Sequence, residues 1–232
     1  MKILALESSA KAASCAVLAD GELLASAWQA AGLTHSRTLL PMVEGMLKNS
    51  ELTMEAMDAV AVAAGPGSFT GLRIGIAAVK GLAWAAEKPC IPVSTLEAMA
   101  WPLAHLEGSI VCAMDARRQQ IYNAVFLADG GALERLREDR ALSLEEAAAD
   151  LAGLDGPMTI VGDSAQMCFD FFTARGIDCR LAPVHLRLQS AAGVALAAWR
   201  RRTETVSAQE LTPVYLRLSQ AERERLAKGE SI

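Results

Sequence analysis

Short apolar runs alternate with small polar turns at the start of the chain. Residues 3–6 (ILAL) and 14–19 (SCAVLA) are apolar, and Asp20-Gly21 follows the second run. An Asp-Gly pair after an apolar run is a strong hairpin signal, so residues 23–28 are expected to return as a third strand. Helical and extended patterns then alternate. The predicted elements are a helix at 36–48, a strand at 58–64, a helix at 71–86, a strand at 90–93 and a helix at 95–104.

The second half of the chain repeats this order of patterns. Residues 110–114 (IVCAM) are followed by the polar DARRQQ (115–120), by the apolar 121–128 and by Asp129-Gly130. The elements predicted after this hairpin are a helix at 143–151, a strand at 159–162, a helix at 164–175, a strand at 178–182 and a helix at 190–201. The recurrence indicates a duplicated unit of about a hundred residues.

This alternation predicts an α/β protein with two lobes, each a mixed sheet flanked by helices. We place the first lobe at residues 1–105, the second at 106–212 and a charged, helical tail at 213–232.

Composition narrows the classes of function. The chain has 232 residues, 52% of them hydrophobic, and a formal net charge of -5, so it lacks the basic footprint of a protein that grips RNA alone. Its five cysteines form no C-x-x-C pair and indicate reduced core thiols. No run reaches the roughly 18 apolar residues of a membrane span. We therefore expect a cytoplasmic protein with no membrane partner.

A glycine-rich loop, AAGPGSFTGLRIG (63–75), lies between an apolar strand and a helix. Backbone N–H groups at such a position favour anions. The loop nevertheless matches neither G-x-G-x-x-G nor a Walker A motif, which requires a lysine after the last glycine. It is interpreted as a structural loop in which Ser68 or Thr70 caps the helix, and Arg73 is left open between an interlobe anion and a carboxylate. The residues of this loop are Gly65, Pro66, Gly67, Ser68, Thr70 and Arg73.

Two helices of the first lobe carry unusual packing patterns. Helix 71–86 has a stripe of very small residues, although each interior glycine costs about 1 kcal/mol relative to alanine. In helix 36–48 the apolar residues span about 160°, more than a one-sided surface helix needs, and Pro41 is expected to kink it or to mark its first turn. Core packing and a partner helix both explain these patterns, with a lean towards the partner. The predicted interface residues are Leu39, Leu40, Val43, Met46, Leu47, Gly71, Gly75, Ala78, Val79 and Leu82.

Five segments together resemble one protein family. They are ILALESSAKAASCAVL, HSRTLLPMVEGML, AAGPGSFTGLRIGIAAVKGLA, DARRQQIYNAVF and TPVYLR. They are similar to the TsaB (YeaZ) family of tRNA threonylcarbamoyladenosine biosynthesis subunits, within the TsaD/Gcp-like group of actin-like ATPase proteins. The resemblance implies a duplicated actin-like, ribonuclease H-like fold. It also implies a non-catalytic, homodimerising subunit that binds a TsaD-like catalytic subunit and a TsaE-like ATPase through its first-lobe helices, and reaches tRNA only through that complex.

The resemblance also identifies a candidate nucleotide cleft. Glu7, Ser8 and Ser9 stand where actin-like ATPases place an acidic residue and small hydroxyl residues beside phosphates, and Asp115 is the corresponding acidic residue of the second half. The turn DARRQQ has no glycine to admit phosphates to its backbone, so a degraded cleft is expected. We predict no tightly bound cofactor and leave weak binding of ATP or ADP open.

Two other classes of enzyme are weighed against this interpretation. A stand-alone ATP-dependent phosphotransferase would use Glu7 and Asp115. A metal-dependent peptidase would need convergent ligands, but His35, His105 and His185 are far apart in sequence and no H-E-x-x-H motif is present. We therefore predict no catalytic residue and no metal site.

Overall fold

The computed structural model describes residues 1–217 and contains two five-stranded mixed sheets. The first sheet consists of β1 (Lys2–Glu7), β2 (Ala13–Ala19), β3 (Glu22–Gln29), β4 (Ala59–Gly65) and β5 (Cys90–Ser94). The second consists of β6 (Glu107–Asp115), β7 (Gln120–Asp129), β8 (Ala132–Ser143), β9 (Met158–Val161) and β10 (Arg180–Leu181). The helices are α1 (His35–Asn49), α2 (Phe69–Ala85), α3 (Thr95–Ala100), α4 (Leu144–Leu151), α5 (Ala165–Thr173) and α6 (Ala191–Arg200), and a 3₁₀ turn occupies Trp101–Leu103.

The two sheets have the same topology. The first has the order β3-β2-β1-β4-β5 and the second the equivalent order β8-β7-β6-β9-β10. In each sheet the first three strands are antiparallel neighbours, and the last two run parallel to the first strand. The predicted two-lobed, duplicated α/β fold is confirmed.

The two halves exchange one helix each. Successive residues of β1 point to opposite faces, so Leu4 and Leu6 pack with α1 and α2 while Ile3 and Ala5 pack with α6. Helix α6, from the second half, therefore covers the back of the first sheet. Helix α3, from the first half, packs on the second sheet. The lobe boundary placed at residue 105 stays a prediction. A single boundary in the sequence does not describe two halves whose helices α3 and α6 each pack on the sheet of the other half.

The structure differs from the predicted elements at three places. Strand β8 was not predicted, because ALERLREDRALS is rich in charge and lies at an edge, where its side chains are mostly half-buried or exposed. The helix expected at 95–104 ends at Ala100 and passes into the 3₁₀ turn, which contains Pro102. The strand expected at 178–182 is reduced to Arg180–Leu181.

The C-terminal prediction falls largely outside the described residues. Residues 213–217 form no helix, and residues 218–232 of the predicted tail lie beyond the described part of the chain. Within residues 1–217, no helix has both the length and the apolar character needed to cross a bilayer.

Candidate functional site

The glycine-rich loop is held between two other segments of the same chain. On one side, the Ser68 amide donates a hydrogen bond to the Ser9 carbonyl at 2.7 Å, and a Cβ on Gly67 would lie 2.7 Å from that same oxygen. On the other side, the Val214 amide donates to the Ala64 carbonyl at 2.8 Å. The loop glycines are thus required by close backbone contacts within the chain.

Residues 211–217, which we call the strap, cross this loop. Gly65 has a φ of +138°, and a Cβ there would overlap the Val214 carbonyl oxygen. Pro66 follows a cis peptide bond and is buried. The Tyr215 ring stacks on Phe69, with 4.8 Å between the ring centroids. The strap therefore closes the glycine loop from the side opposite Ser9.

The helix cap and Arg73 are resolved by the structure. The Ser68 hydroxyl accepts a hydrogen bond from the Gly71 amide at 3.3 Å and caps α2, whereas Thr70 is exposed. The Arg73 guanidinium lies 3.9 Å from the centroid of the Phe69 ring, and its Nε donates to the Tyr215 hydroxyl at 3.0 Å. Among the described residues, Arg73 thus contacts aromatic side chains of the loop and the strap, and neither expected anionic partner.

Gly71 and Gly75 of α2 face Ser8 of this chain and not a partner helix. A Cβ on Gly71 would overlap the Ser8 carbonyl oxygen, and one on Gly75 would lie 2.5 Å from the Ser8 hydroxyl oxygen. The Ser8 hydroxyl also donates to the Gly71 carbonyl at 2.9 Å. The group that approaches α2 at these two positions is therefore Ser8 of the chain's own β1–β2 turn, through its backbone at Gly71 and its side chain at Gly75, and no second chain is needed to explain them.

The predicted interface residues fall into two groups. Leu40 is exposed, and Ala78 and Leu82 are partly buried. The other members are buried in this chain's own core or against its β1–β2 turn: Leu39, Val43, Met46, Leu47, Gly71, Gly75 and Val79. The interface itself stays a prediction, but on this chain only the first group presents side chains to a partner.

The outer surface of α1 and α2 includes further residues, of which Gly45 and Ala77 were not identified from the sequence. Gly45 in α1 and Gly81 in α2 would both accept a Cβ with no described atom within 4 Å. Ala77 is exposed between Ile74 and Gly81 along the helix, and Met42 is partly buried. The Gly71-Gly75-Gly81 spacing suggested a single stripe. In the structure, Gly71 and Gly75 face Ser8, whereas Gly81 faces outward. This division depends on where β1 ends, and the spacing of the glycines does not specify that position.

The candidate nucleotide residues do not all converge. Ser8 points to α2, on the face of the sheet opposite to that of Glu7. Glu7 is fully buried, and burial raises the pKa of its carboxyl to about 7. Its Oε1 accepts a hydrogen bond from the Ser9 amide at 2.5 Å. Hydrogen bonding by the Ser9 side chain lowers the pKa of this carboxyl against the effect of burial, and Glu7 Oε2 is buried with no further partner among the described residues.

Asp115 shapes the turn between β6 and β7. Its Oδ1 accepts the Arg117 amide at 2.7 Å, and its own amide donates to Asp163 Oδ1 at 3.2 Å. Burial raises the pKa of the Asp163 carboxyl, and the charge of Lys11 opposes that shift. Asp163 was not identified from the sequence, where a lone aspartate after a strand carries no signal. In residues 1–217, no group of three potential metal-ligating side chains occurs.

Two sheets of equivalent topology, exchanging a helix across a central crossing, define an actin-like protein. A solved structure of component A of (R)-2-hydroxyglutaryl-CoA dehydratase from Acidaminococcus fermentans shares this fold with a TM-score of 0.53 at 13% identity, over 88% of this chain and 99% of that one. At this identity the likeness concerns the fold alone.

Closer relatives narrow the class to one family. The family model of TsaD, tRNA N6-adenosine threonylcarbamoyltransferase, matches residues 29–224. The curated protein TsaB of Haemophilus influenzae is 34% identical over 94% of both chains, and TsaB of Bacillus subtilis is 30% identical over 96% of both. The solved structure of YeaZ from Pseudomonas aeruginosa has a TM-score of 0.79 at 31% identity, over 93% of this chain and 99% of that one. The chain belongs to the TsaB (YeaZ) family, whose curated members are named for tRNA threonylcarbamoyladenosine biosynthesis.

Proposed function

We propose that this chain is the non-catalytic, dimerising subunit of a complex that transfers a threonylcarbamoyl group to the adenosine beside the tRNA anticodon. It binds and stabilises a TsaD-like catalytic subunit, works with a TsaE-like ATPase, and forms a homodimer. It contacts tRNA only within the assembly. Its family supports the pathway, and the match to a TsaD model supports a partner of related fold. A cytoplasmic location fits a tRNA substrate and five free cysteines.

One observation carries the docking role. Gly45 and Gly81 lie inside helices, where glycine is unfavourable, and the chain's own packing gives no reason to exclude a Cβ at either position. Around them, Leu40, Ala77 and Leu82 give the outer surface of α1 and α2 an apolar character. Small residues on a helix surface permit close backbone approach, so the partner is expected to place a helix against this surface.

The non-catalytic assignment rests on the hydrogen bonding and burial of the polar residues near the glycine-rich loop. Ser8 is engaged with Gly71, and the Glu7 carboxyl is fully buried beside Ser9. Neither arrangement provides an exposed nucleophile with an adjacent base.

The test replaces small outer residues by a long charged one. Ala77→Arg and Gly81→Arg are expected to keep the fold but to abolish dimerisation and co-purification with the catalytic subunit, because both positions face solvent in the isolated chain. Ala149→Arg, at an exposed position of α4, is the matched control. Light scattering after size exclusion measures the dimer. Reconstituted threonylcarbamoylation of tRNA, with and without each variant, measures function. Normal assembly by both variants would overturn the proposal.

A second candidate function is weak nucleotide binding in the cleft. The observation that favours it is the buried Glu7 carboxyl, whose Oε2 has no further partner among the described residues and whose neighbour is the buried Ser9 hydroxyl. Calorimetry of the purified chain with Mg-ATP tests it. Weak binding that Glu7→Gln abolishes would support this candidate, and a flat titration would remove it along with the phosphotransferase.

A further inference from the structure

The turn between β6 and β7 differs from the two Asp-Gly hairpin turns of this chain. The β2–β3 and β7–β8 turns use Asp20-Gly21 and Asp129-Gly130-Gly131, which suit tight hairpins. The β6–β7 turn instead holds three consecutive non-glycine residues in the left-handed region, Arg117 (φ 66°), Arg118 (φ 54°) and Gln119 (φ 60°). Long side chains are unfavourable in that conformation. Their presence indicates that the side chains matter more here than the ease of the turn.

The chain holds this unfavourable turn in place from outside. The Asp115 carboxylate accepts the Arg117 amide, and the Ala116 amide donates to the Gln120 carbonyl at 3.0 Å. The Arg217 guanidinium, at the end of the strap, donates to the carbonyls of Ala116 and Arg117, the latter at 3.1 Å. The turn is therefore a preorganised feature rather than an unconstrained loop.

Fixing the turn projects two guanidinium groups into solvent. The Arg117 side chain is 84% exposed, and its contact with Asp115, at 3.4 Å, is an exposed ion pair of the kind that contributes little. Arg118 is exposed and forms no ion pair with another described residue. The charged groups in contact with the turn are Asp115, which pairs with Arg117, Arg217, which donates to the Arg117 carbonyl, and Asp163, which accepts the Asp115 amide.

We infer that the Asp115–Gln120 turn binds backbone phosphates of the RNA substrate through Arg117 and Arg118. Guanidinium groups form paired hydrogen bonds with phosphate oxygens, and two exposed ones on a turn fixed by the chain can contact phosphates without first being ordered. The inference rests on the proposed function, because a chain with a net charge of -5 holds RNA only as one contributor within a complex.

The experiment uses the assembled complex with the catalytic subunit. Binding of fluorescently labelled bulk tRNA is followed by anisotropy between 50 and 200 mM salt, comparing wild type with the Arg117→Gln/Arg118→Gln double variant. Loss of two phosphate contacts is expected to weaken binding about tenfold and to reduce the slope of log affinity against log salt by roughly 1.4–1.8. The control is Arg175→Gln/Arg202→Gln, which removes the same charge at two other exposed arginines and is expected to leave both quantities unchanged.

Two single variants keep the inference testable if the double variant misfolds. Arg118→Gln removes no contact with another described residue. It is expected to reduce the slope of log affinity against log salt by about half as much as the double variant does. Asp115→Asn keeps an oxygen acceptor for the Arg117 amide and removes a negative charge, so tRNA affinity is expected to rise. If the site served Mg-ATP instead, the same substitution would weaken nucleotide binding.

The remaining outcomes are distinguishable. An assembled complex in which the arginine variants bind tRNA with unchanged affinity and slope overturns this inference and leaves the proposed function standing. Loss of ATP binding with unchanged tRNA binding also overturns it and assigns the turn to a free nucleotide. Failure of the arginine variants, but not of the control, to bind the catalytic subunit overturns it in favour of a protein contact. A wild-type chain that never assembles with that subunit overturns the proposed function instead.

Discussion

At the scale of single residues, Glu7 makes folding stability depend on pH. Its pKa is about 7 in the fold, because of burial, and 4.5 as the ordinary value. Between these values the folded state retains a proton that the unfolded chain has lost, so stability falls as pH rises from 4.5 to 7. The full loss is about 3 kcal/mol. We predict that Glu7→Gln removes this decline while its amide oxygen still accepts the Ser9 amide.

Urea unfolding at pH 5 and pH 8 measures this effect as a difference between wild type and variant. The difference cancels the contributions of other groups, including Asp163, whose pKa is also raised by burial. Glu107→Gln, at an exposed position, is the control and should leave the pH dependence unchanged. An equal pH dependence in wild type and Glu7→Gln would show that the carboxyl is already ionised or hydrated in the fold.

Two glycines of α2 should respond oppositely to the same substitution. Gly71→Ala drives a methyl group into the Ser8 carbonyl and is expected to destabilise the fold by about 2 kcal/mol or more. Gly81→Ala meets open space and is expected to stabilise the isolated chain by about 0.5–1 kcal/mol. Thermal unfolding of the two variants checks both signs. Equal destabilisation would mean that Gly81 also serves the chain's own packing.

At the scale of elements, Tyr215 is a side chain through which the strap contacts the start of α2. Tyr215→Ala removes the stack on Phe69 and the hydrogen bond from Arg73, and is expected to cost about 1–2 kcal/mol. Tyr215→Phe keeps the stack and should lose less. Amide exchange measures the local effect: the Val214 amide should exchange faster in Tyr215→Ala, whereas amides of β6 should not change. Unaltered exchange at Val214 would show that its backbone contact suffices.

The same elements show what the sequence could predict. The alternation around Asp20-Gly21, and its recurrence around Asp129-Gly130, gave the duplicated sheets because hairpin signals are local. Strand β8 follows such a signal but has no apolar run of its own, because it is held by pairing with β7 and by ion pairs with other segments. The reason for each glycine lies in a contact between distant segments, such as that of Gly65 with Val214. No local pattern specifies such contacts.

The candidate site was predictable only in part for the same reason. Glu7 ends β1 and Ser8 begins the turn, and their side chains lie on opposite faces of the sheet. The orphaned oxygen of Glu7, the left-handed Arg117 and the position of Asp163 all follow from tertiary packing. An apolar stripe on a helix likewise indicates that one face is covered but does not say whether the cover is its own core or a partner.

At the scale of the whole molecule, ion pairs join the lobes beside the helix crossing. The Glu97 carboxylate of α3 pairs with Arg135 of β8 at 3.3 Å and with Arg201, just after α6, at 3.1 Å. Asp139 of β8 accepts a hydrogen bond from the Ser94 hydroxyl and pairs with Arg135, both at 2.5 Å. These contacts connect α3 and the end of α6 with the second sheet.

This crossing predicts that the first lobe does not fold alone. A fragment of residues 1–105 lacks α6 and exposes the sheet face formed by Ile3, Ala5 and Leu18, which α6 covers in the whole chain. Without that apolar cover the fragment is expected to lack a cooperative thermal transition, as followed by circular dichroism. Co-expression with residues 106–232 supplies α6 and should restore a folded complex. A sharp transition in the isolated fragment would show instead that α1 and α2 suffice to hold the sheet.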